Sequence, residues 1–137
     1  MRLLGGEGPD VRWVDVPIDQ AVHAADDQID PLLDAGWQPQ DIALLTTKRQ
    51  HPVQADRLQH GREAYWDTLF DESDVFYSTV AGFKGLERPV VVLAIDGFHD
   101  GVDAKEVLYV GMSRARDLLI VCGPRDVLGK AESDSPN

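Results

Sequence analysis

The chain has 137 residues, 43% of them hydrophobic and 27% charged, which suits one globular domain with a core of its own. Its net charge of −11, spread over both halves, excludes tight nucleic-acid binding by general electrostatics, because phosphate neutralisation needs clustered basic side chains. No apolar run is long enough for a membrane span, "MRLLGGEGPD" is not a signal peptide, and the expected location is the cytoplasm with no membrane partner.

Residues 1–10 are glycine-rich and read as a flexible lead-in. "VRWVDVP" alternates apolar and polar positions, a strand ended by Pro17. Asp19 is the expected N-cap of a helix whose apolar stripe runs through Val22, Ala25, Ile29 and Leu32, with Gly36 as its stop and a kink at Pro31. "DIALLTT" is short and almost wholly apolar, as in a strand covered on both faces. Pro52 opens a second helix through about Gln59, and Gly61 breaks it. "AYWDTLF" fits no single state.

"VFYSTV" and "PVVVLAI" are the third and fourth strands, joined by a short polar link, and "GFHDGVD" is a loop. "AKEVLYVGMSRAR" is a helix with Val107, Leu108, Gly111, Met112 and Ala115 on one face and Arg114 and Arg116 at its end. "DLLIVCG" is the fifth strand and "PRDVL" a terminal helical turn, followed by a polar tail over 129–137 that reads as disordered. Buried strands alternating with helices predict an α/β fold with a mainly parallel sheet flanked by helices, as one domain over residues 11–128.

Few residues carry recognisable chemistry. The lone Cys122, inside "LLIVCG", excludes an internal disulfide and reads as a buried inert thiol. His23, His51, His60 and His99 lack metal-ligand spacing and read as surface residues; no metal site is expected. Trp13, Trp37 and Trp66 read as packing residues, and Asp71-Glu72 as a solvated acidic loop. "GPRDVLGKA" fails as a phosphate loop, because it has one residue too many between its glycines and Ala131 where a magnesium-binding hydroxyl belongs.

Two segments remain, "TVAGFKGLE" and "SRAR". In such a sheet ligands sit beyond the carboxyl ends of the strands, so the link after the third strand and the helix carrying Arg114 are both expected at that edge. Arginines at a helix end satisfy the negative macrodipole, and a turn with two glycines is ordinary; each segment alone fits a bland surface role as well as an anion-binding one.

Together and in this order, "TVAGFKGLERPVVVLAI" and "VLYVGMSRARDLLIVCG" resemble motifs V and VI of UvrD/Rep-type superfamily 1 helicases, and "DIALLTTKRQ" is similar to the motif IV strand. The resemblance covers about residues 40–123. It implies the second, C-terminal RecA-like motor domain of such a helicase, a P-loop NTPase-like fold without its own P-loop. That domain closes over ATP, whose Mg²⁺ is held mainly by the first RecA-like domain, and forms part of the single-stranded DNA track. By position, Arg114 matches the arginine finger that reaches the γ-phosphate, Glu87 the glutamate that meets the ribose, and Gly85 the same nucleotide-facing turn. Thr79 and Lys84 match the part of motif V on the nucleic-acid side. Ala81 stands where the family has a histidine, Ser113 keeps the hydroxyl of the usual threonine, and Thr47 stands where the motif IV arginine is expected, with Lys48 or Arg49 replacing it in a shifted register. The implied partners are a P-loop RecA-like domain, in the same or another chain, and single-stranded DNA; the chain alone is expected to be inactive. Two rivals are a non-catalytic RecA-like module that binds a protein partner and a receiver-like domain, the latter disfavoured because Ser78-Thr79 occupies the place of a phosphorylatable aspartate.

Overall fold

The structure is a computed structural model that describes residues 9–70, 74–83 and 85–126. In chain order it contains β1 (Asp10–Asp15), α1 (Ala21–Asp27), α2 (Ile29–Asp34), β2 (Ile42–Thr46), α3 (Pro52–Gln59), α4 (Arg62–Phe70), β3 (Phe76–Thr79), β4 (Arg88–Ala94), α5 (Ala104–Met112) and β5 (Ala115–Gly123). The five strands form one sheet in the order β1-β5-β4-β2-β3, and every pairing is parallel.

Both faces of the sheet are covered, and the two-residue period of the strands divides the core accordingly. Val90, Val92 and Ala94 of β4 pack with Ile42, Leu44, Ile120 and the α1–α2 residues Ala21, Ala25 and Leu32. Val91 and Leu93, one residue out of phase, join Leu45, Phe76, Phe83, Leu108, Met112 and Val121 on the other face. Gly111 brings α5 close to the sheet: a Cβ there would stand 3.1 Å from both Leu93 Cδ1 and Val80 Cγ2.

Local details amend several expectations. A 3-10 turn over Ile18–Gln20 precedes α1, whose N-cap is Gln20 without a side-chain bond, so Asp19 caps nothing. The helix predicted between Asp19 and Gly36 breaks at Gln28, between α1 and α2. Pro31 explains the position of the break, since its ring crowds the carbonyl four residues back and its nitrogen donates no bond. The aromatic segment "AYWDTLF" is helical, within α4, and Tyr65 is buried against Phe76. Asp10, assigned to the lead-in, is the first residue of β1. The 129–137 tail, Asp71-Glu72 and Lys84 lie outside the described residues, and the terminal turn is described only through Asp126.

The link from β3 to β4 is the most constrained connection. The two strands are parallel with β2 between them, so residues 80–87 must return from the carboxyl edge to the amino edge while crossing one neighbour. That path is roughly 18 Å, against an extended reach of about 27 Å for eight residues, whereas a helix of eight residues would rise only about 12 Å. The link accordingly forms a single 3-10 turn, Ala81–Phe83, and buries Phe83 completely on the sheet. Gly85 follows with φ +83°, a left-handed backbone that glycine adopts freely.

Candidate functional site

The crossing link puts its two ends at opposite edges of the sheet, which corrects the expectation that both signature segments meet at the carboxyl edge. Gly85, Glu87, Arg114 and Arg116 lie at the amino edge, where β4 and β5 begin; Thr79 and Ala81 lie at the carboxyl edge, where β3 ends. The physical reason is that β3 and β4 run parallel on either side of β2, which forces the link to traverse the sheet.

At the amino edge α5 ends at Met112, four residues earlier than predicted, and Arg116 is the second residue of β5 rather than part of a helix. Arg114 occupies the turn between them. Its Nε donates to the Val110 carbonyl at 3.2 Å and Nη1 to the Leu86 carbonyl at 3.4 Å, and its own carbonyl accepts from Arg88 N–H at 3.1 Å. The guanidinium is thus seated between the last turn of α5, whose carbonyls favour a cation, and the end of the link. Arg116 Nε is 3.9 Å from Glu87 Oε1, with both side chains more than half exposed, a contact worth little in stability. Glu87, Arg88, Arg116, Gln40 and Asp41 line a cleft of about 460 Å³.

Arg88 underpins this edge. It is 4% exposed and donates from Nη1 to the Ile42 carbonyl at 2.7 Å and, at longer range, to the Pro39 and Asp74 carbonyls; Nη2 donates to the Leu69 carbonyl. Its guanidinium carbon is 5.5 Å from the centre of the Phe76 ring. Burial pulls the guanidinium down to about 10, which leaves it charged at neutral pH. Pro89 beside it sits at the irregularity in the β4–β5 register, a place where a missing N–H costs no ladder bond.

At the carboxyl edge, a second cleft of about 500 Å³ is lined by Thr79, Ala81, Thr47, Lys48, His99 and Asp103, among others, with Val80, Val107 and Val110 as its apolar wall. Thr79 Oγ1 accepts from Gly82 N–H at 3.1 Å, which starts the 3-10 turn. Thr47 is buried and binds Asp96 through its N–H and its hydroxyl, each at 3.1 Å. The same carboxylate accepts from Lys48 N–H at 2.8 Å and Arg49 N–H at 3.0 Å. Sequence reasoning overlooked Asp96 and Arg88. For Asp96 the available signal was an ionisable residue close behind a continuous apolar strand.

His51 is another correction: it is buried, not on the surface. Its Nδ1 accepts from Val53 N–H at 3.0 Å and so caps α3, which places the ring proton on Nε2, donating to Asp26 at 2.7 Å. Cys122 is buried, as read from its apolar run, and burial pushes its thiol up to about 12. Trp13 packs against the core and donates to the Gly123 carbonyl at 3.1 Å. Among the described residues, no group of three or more His, Cys, Asp or Glu could hold a metal ion, and no helix is long and apolar enough to cross a membrane.

A five-stranded, all-parallel sheet covered on both faces by helices, with cationic and acidic side chains gathered where β4 and β5 begin, is a RecA-like α/β arrangement. Residues 74–122 match the family model of the UvrD-like helicase C-terminal domain, so this segment, which contains β3, β4, α5 and most of β5, is similar to that domain. Comparison with curated proteins gave no match.

Proposed function

We propose that the chain is the C-terminal motor domain of an ATP-dependent superfamily 1 helicase and works against a P-loop domain that holds ATP and Mg²⁺. The observation that carries this reading is the convergence of Glu87, Arg114 and Arg116 at one edge of the sheet, from two segments about thirty residues apart, inside the stretch that matches the helicase family. The chemistry fits a nucleotide that approaches this edge. A guanidinium seated on carbonyls supplies donors for the charge that develops on a transferring phosphoryl group. The Glu87 carboxylate accepts from sugar hydroxyls, and the left-handed turn at Gly85 lets the backbone come close to a ligand. Thr79 and Lys84 are proposed as nucleic-acid contacts, with the single strand at the edge that carries Thr79.

In a helicase that pairs this domain with a P-loop domain, Arg114→Ala should slow ATP hydrolysis on the order of 10³-fold or more, with nucleotide affinity changed far less. Steady-state turnover and equilibrium binding of a fluorescent ATP analogue measure the two effects. Unchanged turnover would remove Arg114 from the reaction, and hydrolysis by the isolated chain would refute the reading that ATP is held by another domain.

A further inference from the structure

The charged groups at the amino edge depend on one short stretch of backbone, residues 86–88. The Leu86 carbonyl accepts from Arg114 Nη1 at 3.4 Å, and the Arg88 N–H donates to the Arg114 carbonyl at 3.1 Å. Between them, Glu87 carries the carboxylate that lies 3.9 Å from Arg116 Nε. Whatever fixes this stretch therefore fixes where Arg114 and Glu87 point.

The strand ladder is a weak restraint here. Pro89 has no N–H to donate, and the β4–β5 register is irregular between Arg88 and Val90. Just upstream, Gly85 holds the left-handed backbone, φ +83°, that glycine adopts freely. The side chain of Arg88 supplies a restraint from another direction. It is 4% exposed, and its fork reaches two separate elements: Nη1 donates to the Ile42 carbonyl at 2.7 Å, at the start of β2, and Nη2 to the Leu69 carbonyl in the last turn of α4. Longer contacts to the Pro39 and Asp74 carbonyls and the Phe76 ring, 5.5 Å from the guanidinium carbon, surround it further. A planar fork spans two acceptors that face it from different elements. The ammonium of a lysine is a single point on a flexible stem and does not reproduce that geometry.

We propose that Arg88 is a positioning residue for the nucleotide edge: its buried fork holds residues 86–88 against β2 and α4, and through them sets the Arg114 guanidinium and the Glu87 carboxylate. The proposal rests on the motor reading above for the reaction that Arg88 serves. It extends that reading to a side chain that acts through its neighbours. A misplacement of about 1 Å in a reacting constellation costs on the order of 10²-fold in rate, so a loosened stretch is felt in turnover.

The test uses a helicase in which this domain is joined to its P-loop domain, with ATP hydrolysis measured well below the melting transition of each variant. Arg88→Met removes the fork and the charge, whereas Arg88→Lys removes the fork alone. Both should lower kcat on the order of 10²-fold, while KM for ATP rises several-fold at most. Leu44→Ala, a truncation in the core between the sheet and α1, controls for lost stability and should keep kcat near wild type. A second reading needs no hydrolysis. In the 137-residue chain, ¹⁵N relaxation should find the Arg114 Nε–H ordered in the wild type and mobile in both Arg88 variants. If Arg88→Met does not fold, Arg88→Lys gives the same two readings. Turnover by either Arg88 variant as high as that of Leu44→Ala, or an Arg114 Nε–H as ordered as in the wild type, overturns the proposal. Wild-type turnover by Arg114→Ala would instead overturn the motor reading, which stands if Arg114→Ala is defective beside normal Arg88 variants.

Discussion

Arg88 carries a positive charge into a buried site and is held there, among the described residues, by carbonyl oxygens from β2, α4 and the segments that precede β2 and β3. Charged donors bonded to carbonyls are stronger than neutral ones, and removing one leaves several buried acceptors unsatisfied at once. Arg88→Met should therefore destabilise the domain by about 2–4 kcal/mol, read as a lowered urea midpoint at an unchanged slope. "LERPVV" announces nothing of the kind, because an arginine before a strand is usually solvated; its burial depends on carbonyls that only the tertiary fold collects. His51 escaped notice for the same reason. Cys122 was legible, since an apolar run predicts its environment directly. Its thiol should resist Ellman's reagent in the native state and react on unfolding. The folded value near 12 lies above the unfolded value of 9.0, so this contribution is present below pH 9 and is lost as pH rises toward 12. Tyr65 and Tyr77, also raised by burial, act in the same direction, and thermal melts above pH 9 should fall progressively.

Among the elements, α5 depends on a residue without a side chain. The contacts a Cβ would make at Gly111 are with the ends of Leu93 and Val80, which can yield by a few tenths of an ångström. Gly111→Ala should thus stay within about 1 kcal/mol of wild type, crowding being offset by better helix propensity, whereas Gly111→Val should cost about 2–3 kcal/mol by prising α5 off β4. Chemical denaturation of the two variants checks the contrast. The strands were readable because hydrophobic period and length specify buried β segments, and Pro52 and Gly61 mark the ends of α3. The edge at which Arg114 sits was not readable. Sequence reasoning placed the link after a strand and expected it and the helix carrying Arg114 both at the carboxyl edge, but strand order determines which end of a connection faces which way. A link of eight residues between parallel strands already demanded a crossing, and its two ends had to part company.

For the whole molecule, the sheet is made entirely of parallel pairs, so no two neighbouring strands are joined by a hairpin. The β4–β5 register joins residues such as Arg88 and Ala115, with only the loop and α5 between them, while β1 pairs with β5 across most of the chain, Asp10 beside Leu118. Loop-closure entropy rises with the span to be closed, so these two events differ in cost before any contact rewards them. The β4-α5-β5 unit is the most local piece of sheet and a natural nucleus, and β1 is the strand whose docking must wait for it. Until β1 arrives, the outer edge of β5 lies open, with Leu118, Ile120 and Cys122 uncovered by the α1 helix that follows β1. Loop-closure entropy in this register therefore favours pairing of β4 with β5 before β1 finds its place.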